Sequence, residues 1–166
     1  MKILDTERLS LRYFTLDDAE FVLGLLNEPS FHELIGDKGA RDLEGARKYL
    51  QDGPMASYEQ HGFGLFMTTL RDGDVPIGMC GLLQRDNLDH PDVGFAFKPE
   101  FWGRGYATEA AAAVMDWGRR EKGLDKIVAV TMQKNVASAA VLERIGLRFE
   151  RLIDLFEDEP PSRLFS

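Results

Sequence analysis

The segment Asp92–Glu121, DVGFAFKPEFWGRGYATEAAAAVMDWGRRE, constrains the fold more than any other part of this chain. Asp92 to Phe97 reads as a short strand. Trp102-Gly103-Arg104-Gly105-Tyr106-Ala107 is a glycine-containing turn. Beyond it, apolar or small residues recur at 107, 110, 111, 114, 117 and 118, the spacing of one helix face. Lys122-Gly123 supplies a basic last turn and a C-terminal glycine stop. Lys126 to Met132, KIVAVTM, is apolar on both faces, as a strand covered on both sides would be. Strand, helix and strand of this length make a βαβ unit. The segments 92–97 and 126–132 are therefore predicted to run parallel, with a right-handed crossover.

A turn that feeds a helix in this way suits an anion. The first N–H groups of a helix lack internal partners, and the aligned peptide dipoles place partial positive charge there. Gly103 and Gly105 carry no Cβ and let the backbone approach a phosphate closely, and Arg104 adds a charge. G-x-G alone does not separate this reading from a turn that simply starts a helix. A P-loop is disfavoured, because Gly105 is followed by Tyr-Ala and not by Lys-Ser/Thr.

The rest of the chain reads as alternating strands and helices. Leu9, Leu11 and Tyr13 alternate with Arg8, Ser10 and Arg12 in a half-buried strand over Glu7 to Phe14. Thr15-Leu16-Asp17-Asp18 has capping-box form, and apolar residues at 19, 22, 23 and 26 follow as an amphipathic helix stopped at Asn27-Glu28-Pro29. Phe31 to Ala40 reads as a loop or short helix. Asp42 is placed to cap a second helix, which Gly53-Pro54 is expected to interrupt, with a further helical turn or two at 55–61. Phe63 to Arg71 and Val75 to Leu83 form a hairpin around Asp72-Gly73-Asp74. Asn135 caps a helix from Val136 to Ile145, ended by Gly146. Arg148 to Phe156 is a strand, Glu157 to Pro161 an acidic turn, and Ser162 to Phe165 a short final strand.

Composition narrows the function. A length of 166 residues fits one domain spanning 1–166. The net charge of −8 argues against a nucleic-acid partner, since such affinity rests on a basic surface; it is compatible with a cationic acceptor such as an amine. The single cysteine, Cys80, excludes an internal disulfide and reads as a small core residue. His32, His61 and His90 lack companions at metal-binding spacing, and Asp86, Asn87, Asp89 and Asp92 do not match a calcium loop, so no metal is expected. The N-terminus shows no secretory signal, and no apolar run approaches the roughly 18 residues that would span a bilayer, so a cytoplasmic protein without a membrane partner is expected.

Gly94, Phe97, Pro99 and then W-G-R-G-Y-A-T-E-A resemble the central cofactor motif of the GNAT superfamily of N-acetyltransferases. The likeness is greatest to the branch that contains the ribosomal-protein N-terminal acetyltransferases, the RimJ/RimL-like branch. The family pattern is Gln or Arg, two residues, Gly, one residue, then Gly or Ala. Gly105 and Ala107 fit the last two places; Trp102 stands where Gln or Arg is usual. The opening T-E-R-L-x-L-R resembles the same branch, and N-x-x-S-x-x-V-L-E-x-x-G-L-x-F, from Asn135 to Phe149, resembles the family's second signature. The implied fold is the mixed α/β acyl-CoA N-acyltransferase fold, in which two parallel strands of a central sheet, flanked by helices, splay to make a cleft.

The resemblance implies acetyl-CoA as co-substrate and a primary amine as acceptor, either a protein or peptide N-terminus or a small molecule, in a monomer or homodimer. The pantetheine arm is expected along Phe95, Ala96 and Phe97. The pyrophosphate is expected on Gly103, Arg104, Gly105, Tyr106 and Ala107, with Trp102 beside it. Asn135 would contact the pantetheine, or serve only as an N-cap. Asp92 holds a place where many members carry Glu and is the candidate base; otherwise it is an acidic residue at a strand end. Ser138 matches the serine associated with the departing thiolate; otherwise it is a first-turn helix serine. The helical region before residue 61 would form the acceptor side. The alternative to catalysis is a CoA-binding module that keeps the fold without an effective base.

Overall fold

The computed structural model describes residues 1–166 as a mixed α/β structure built on two sheets. In chain order it contains strands β1 (Lys2–Asp5) and β2 (Leu9–Arg12), then helices α1 (Ala19–Leu26), α2 (Pro29–Leu34), α3 (Leu43–Leu50) and α4 (Ala56–His61). There follow β3 (Leu65–Leu70), β4 (Val75–Leu83), β5 (Asp92–Phe97), α5 (Tyr106–Lys122), β6 (Ala129–Met132), α6 (Val136–Arg144), β7 (Phe149–Ile153) and β8 (Ser162–Phe165). Strands β1 to β5 form one antiparallel sheet in sequence order. The second sheet has the order β6-β8-β7, so the last four-residue strand, Ser162–Phe165, is its centre and pairs on both sides.

The two sheets meet at one point. Asp92 and Val128 form a parallel bridge, where the Val93 N–H donates to the Val128 carbonyl and the Val128 N–H to the Pro91 carbonyl, each at 2.9 Å. The expected parallel pairing of 92–97 with 126–132 is confined to this bridge. Beyond it the strands part, β5 keeps only β4 as a partner, and the sheets open into a V.

Local chemistry accounts for most boundaries. The Asp18 carboxylate accepts the Thr15 N–H at 2.9 Å and binds Arg12 through both oxygens, also at 2.9 Å, so the capping box sits on a charged pair. A short 3₁₀ turn over Leu16–Asp18 precedes α1. Asp42 caps α3 by accepting the Gly45 N–H at 2.7 Å. The break expected at Gly53-Pro54 does not occur. The chain stays helical through a π turn over Gln51–Met55, and this wider turn accommodates the proline that an α-helix interior would not. In the β3–β4 hairpin the left-handed residues are Gly73 (φ 82°) and Asp74 (φ 51°). A register shift between Thr68 and Thr69 admits Pro76 to the ladder.

Helix α5 covers one face of the larger sheet with Ala110, Ala111, Val114 and Met115, all buried, and Phe66 meets Trp117 edge-on at 5.4 Å. Helices α1 and α3 cover the other face with Leu25, Leu26 and Leu50 against Met67 and Met79. A sheet covered on both faces leaves its edges as the places to bind something. Cys80 lies in the middle of this core, and burial pushes its thiol pKa up, away from nucleophilic use. No helix is long and apolar enough to cross a membrane.

Candidate active site

The open edge of β5 has a definite hydrogen-bonding pattern. The Val93 N–H points to β6, and the Lys98 N–H donates to the Ile77 carbonyl on the β4 side at 2.9 Å. Alternation along a strand therefore turns the N–H and C=O of Phe95 and Phe97 toward the V, and those of Ala96 toward β4. The Phe97 carbonyl is already used: it accepts the Trp102 indole N–H at 2.9 Å. What remains free is the Phe95 N–H and C=O and the Phe97 N–H. Of the three residues expected to offer backbone groups, Ala96 offers only its side chain.

This edge forms one wall of a cleft of about 420 Å³. Phe95, Ala96 and Phe97 line it from β5, and Trp102, Gly103, Gly105, Tyr106 and Ala107 from the turn. Asn135 and Ser138 line it from the start of α6, and Phe31, Leu34 and Ile35 close it from α2. The structure thus gathers all but two of the predicted site residues around one space. Gly105 has φ 82° and stands directly before α5, whose first-turn residues Tyr106, Ala107 and Thr108 line the cleft. Trp102 is 50% exposed, and its indole ties the turn to the end of β5. It is this bond that the usual Gln or Arg place contributes to the architecture here.

Arg104 does not line the cleft; its guanidinium lies 6.0 Å from the Phe101 ring. The cation held against the turn is Arg8, which the sequence pattern alone left on the solvent face of β2. Arg8 Nη1 donates to the Arg104 carbonyl at 2.9 Å, and its guanidinium stacks 4.4 Å over Tyr106. A Cβ added at Gly105 would lie 3.3 Å from Arg8 Nη2. Glu109 fixes this arginine, accepting from Arg8 Nε at 2.7 Å, from the Arg8 N–H at 2.9 Å and from the Thr6 hydroxyl at 2.5 Å. Burial alone would raise the Glu109 pKa, but the Thr6 and Arg8 hydrogen bonds outweigh it and hold the carboxyl below its ordinary value. The signal for Arg8 lay in the T-E-R-L opening, whose partner in α5 is more than a hundred residues away.

Asn135 is buried, accepts the Ser138 N–H at 3.2 Å and donates to the Leu34 carbonyl at 3.4 Å. It is an N-cap that also ties α6 to α2 across the cleft. Ser138 presents its side chain to the space between them.

Asp92 lines an adjoining cavity of about 280 Å³, which shares Phe95, Ala96, Asn135, Ser138 and the α2 wall with the first. It sits at the one bridge between the sheets, the base of the V, and is 1% exposed. Its Oδ1 accepts from Arg85 Nε at 3.1 Å. Burial raises the Asp92 pKa, and the opposing charge and hydrogen bond of Arg85 recover only part of the shift. The result is a carboxylate that takes a proton more readily than an exposed aspartate does. No cluster of three or more His, Cys, Asp or Glu side chains is placed to hold a metal ion.

An open strand edge, a helix-initiating glycine turn and a buried carboxylate at the base of a V define an acyltransferase-type cleft. Residues 8–148 match the acetyltransferase (GNAT) domain model, and the chain belongs to that family. It is 30% identical over 156 residues to the Bacillus subtilis protein YkkB, covering 90% of this chain and 87% of that one. It is 28% identical over 147 residues to the B. subtilis N-acetyltransferase YnaD, covering 89% and 83% of the two chains. Among solved structures, an Agrobacterium tumefaciens acetyltransferase superposes with a TM-score of 0.83 at 28% identity, over 98% of this chain and 91% of that one. RimL, a ribosomal α-N-protein acetyltransferase in complex with coenzyme A, shares the fold with a TM-score of 0.85 at 17% identity, over 99% and 96% of the two chains.

Proposed function

We propose that this protein is an acetyl-CoA-dependent N-acetyltransferase that transfers acetyl directly to a primary amine within a ternary complex. The observation that carries this reading is the meeting of two adjoining cavities along Phe95, Ala96, Asn135 and Ser138, one lined by the open β5 edge and the Gly105 turn and the other by Asp92. Bound acetyl-CoA would supply an activated acetyl thioester. The free Phe95 C=O and Phe97 N–H hold the pantetheine as an added strand, which leaves the Phe95 N–H for the reacting carbonyl. The N-terminus of α5, with Gly103, Gly105, Tyr106 and Ala107, holds the pyrophosphate, and Arg8 places its charge behind the turn. Trp102 and Asn135 fix the walls, and Arg104 is a peripheral cation.

Asp92 takes the proton from the acceptor ammonium, directly or through water. The Phe95 N–H is placed to stabilise the charge that builds on the carbonyl oxygen. As the tetrahedral intermediate collapses, Ser138 passes its hydroxyl proton to the departing thiolate and takes up the proton still carried by the attacking nitrogen, so the serine ends neutral and CoA leaves as the thiol. The raised pKa of Asp92 favours a working base over the CoA-binding module without catalysis.

The test is thermal melting with acetyl-CoA, followed by release of CoA thiol on adding amines. A ligand that binds only the folded state stabilises by about 2.7 kcal/mol at a hundred times its dissociation constant. Acetyl-CoA is expected to raise the melting temperature of the wild type, and folded Gly105→Glu to lose that rise. No rise at millimolar acetyl-CoA would refute the cofactor site.

A further inference from the structure

The cavity beyond Asp92 has a charge that the rest of the molecule does not. The protein carries −8 overall, yet the charged side chains lining this cavity are Lys38, Arg85 and Asp92, two cations to one carboxylate. Arg85 gives its Nε to Asp92 and lies over the Phe156 ring at 5.6 Å, and its two terminal nitrogens donate no hydrogen bond. Lys38 is exposed, lines the cavity and makes no ion pair or side-chain hydrogen bond. Crowding lowers its pKa first and the charge of Arg85 second, with Glu159 pulling weakly the other way. The Thr131 hydroxyl, on a strand that lines the same cavity, is buried without a partner. Unpaired buried polar groups are rare enough to need a reason, and a bound ligand supplies one. The remaining wall is mostly apolar, with Tyr49, Met79, Leu83 and Phe156, and Asn135, Ser138 and Ser162 add polar groups to it.

A plain alkylammonium would enter this space against a net positive charge, two cations less the Asp92 carboxylate. An acceptor that brings its own negative charge would not. Resting on the transfer reading above, we propose that the acceptor is a small primary amine bearing a carboxylate and an apolar side chain, an amino-acid-like molecule. Its carboxylate meets Lys38 and Arg85, its amine meets Asp92, and its side chain packs on the apolar wall. The volume of about 280 Å³ lies just below the ~300–1,000 Å³ of pockets for drug-sized ligands, which suits a molecule of this size.

The experiment measures CoA thiol release with leucine, leucinamide and isoamylamine, for the wild type and Lys38→Met. Lys38 is chosen over Arg85 because it touches neither Asp92 nor the core, so its loss leaves the base and the fold in place. The two leucine derivatives differ in amine basicity. The readout is therefore the change in their kcat/KM ratio between the two proteins, from which that difference cancels. The expected result is a wild-type preference for leucine, with Lys38→Met lowering the leucine-to-leucinamide ratio about tenfold through the KM for leucine, the ~1.4 kcal/mol scale of one charged contact. Equal or better use of isoamylamine by the wild type, or an equal loss for both leucine derivatives in Lys38→Met, would overturn the carboxylate assignment and leave the transfer reading standing. Thiol release from none of the three, with acetyl-CoA still raising the melting temperature, would overturn this acceptor class while the cofactor site survives.

Discussion

The two ends of the cleft are built from different materials. The end proposed for the cofactor is made of backbone: the free groups of Phe95 and Phe97, two glycines with positive φ at 103 and 105, and the first turn of α5. These come from one stretch of about fifteen residues. The acceptor end is made of side chains brought from six separate elements or loops, among them Lys38, Tyr49, Arg85, Asp92, Thr131 and Phe156. Backbone geometry tolerates many side-chain changes. Side-chain constellations do not, so the acceptor end is where related chains are expected to diverge in substrate.

The sharpest way to break this comparison is to remove the base. Asp92→Asn keeps the shape and the hydrogen bond from Arg85 but cannot take a proton. It is expected to lower kcat/KM about 10²–10⁴-fold, the usual contribution of a general base. Melting should still rise with acetyl-CoA, because Asp92 lies outside the cofactor cavity. Loss of both activity and the melting shift would mean that the ends are not separable.

Arg8→Ala tests the opposite end. Arg8 binds the turn carbonyl, stacks on Tyr106 and is fixed by Glu109. Its loss is expected to raise the KM for acetyl-CoA about tenfold, the ~1.4 kcal/mol of a charged hydrogen bond, with kcat and the acceptor KM little changed. Steady-state kinetics with each substrate varied in turn checks this. A fall in kcat alone would place Arg8 in the chemistry and not in cofactor placement.

These two residues also show what was legible in the sequence. Asp92 stood inside a contiguous motif, and its candidacy as base came from the family resemblance that this motif carries. Arg8 stood in an equally regular strand, but its meaning depends on Glu109, which the fold brings to it from another element. The same distinction runs through the fold. Helix α5 and its glycine boundaries follow from local spacing. The order β6-β8-β7 does not, because nothing in a four-residue strand says that it will be paired on both sides. The π turn at Gly53-Pro54 was hidden for another reason. Glycine and proline there would end an isolated helix, but burial of Pro54 and the packing of α3 hold the chain helical. Arg85 and Lys38 stand in separate connecting segments, and only the fold brings them to one cavity.

The pH dependence joins the two ends to the electrostatics. The base works when deprotonated, so kcat/KM should fall on the acid side, with an apparent pKa above the ordinary aspartate value because burial raises it. Arg85 opposes that rise. Arg85→Gln removes the positive field, so the folded pKa climbs further and the acid limb must move to higher pH. The position of the limb is independent of any loss of acceptor affinity, which changes only its height. An unmoved limb would show that Asp92 is not the group being titrated.

The smallest effect is expected at Ser138, which lines both cavities and so belongs to neither end alone. Its proposed task is to protonate the thiolate as it leaves. A thiol with a pKa near 8.5 departs with little assistance at neutral pH, so Ser138→Ala should cost only a few-fold in kcat. Its backbone N–H, which Asn135 uses to cap α6, is retained in the alanine variant, so the wall of the cleft stays in place. Single-turnover measurement of the transfer step separates the two parts of this expectation. A few-fold slower transfer with unchanged acetyl-CoA binding fits a proton donor at the junction of the two cavities. A loss comparable to that of Asp92→Asn would make the hydroxyl essential, and would shift the centre of the chemistry from the base of the V toward the start of α6.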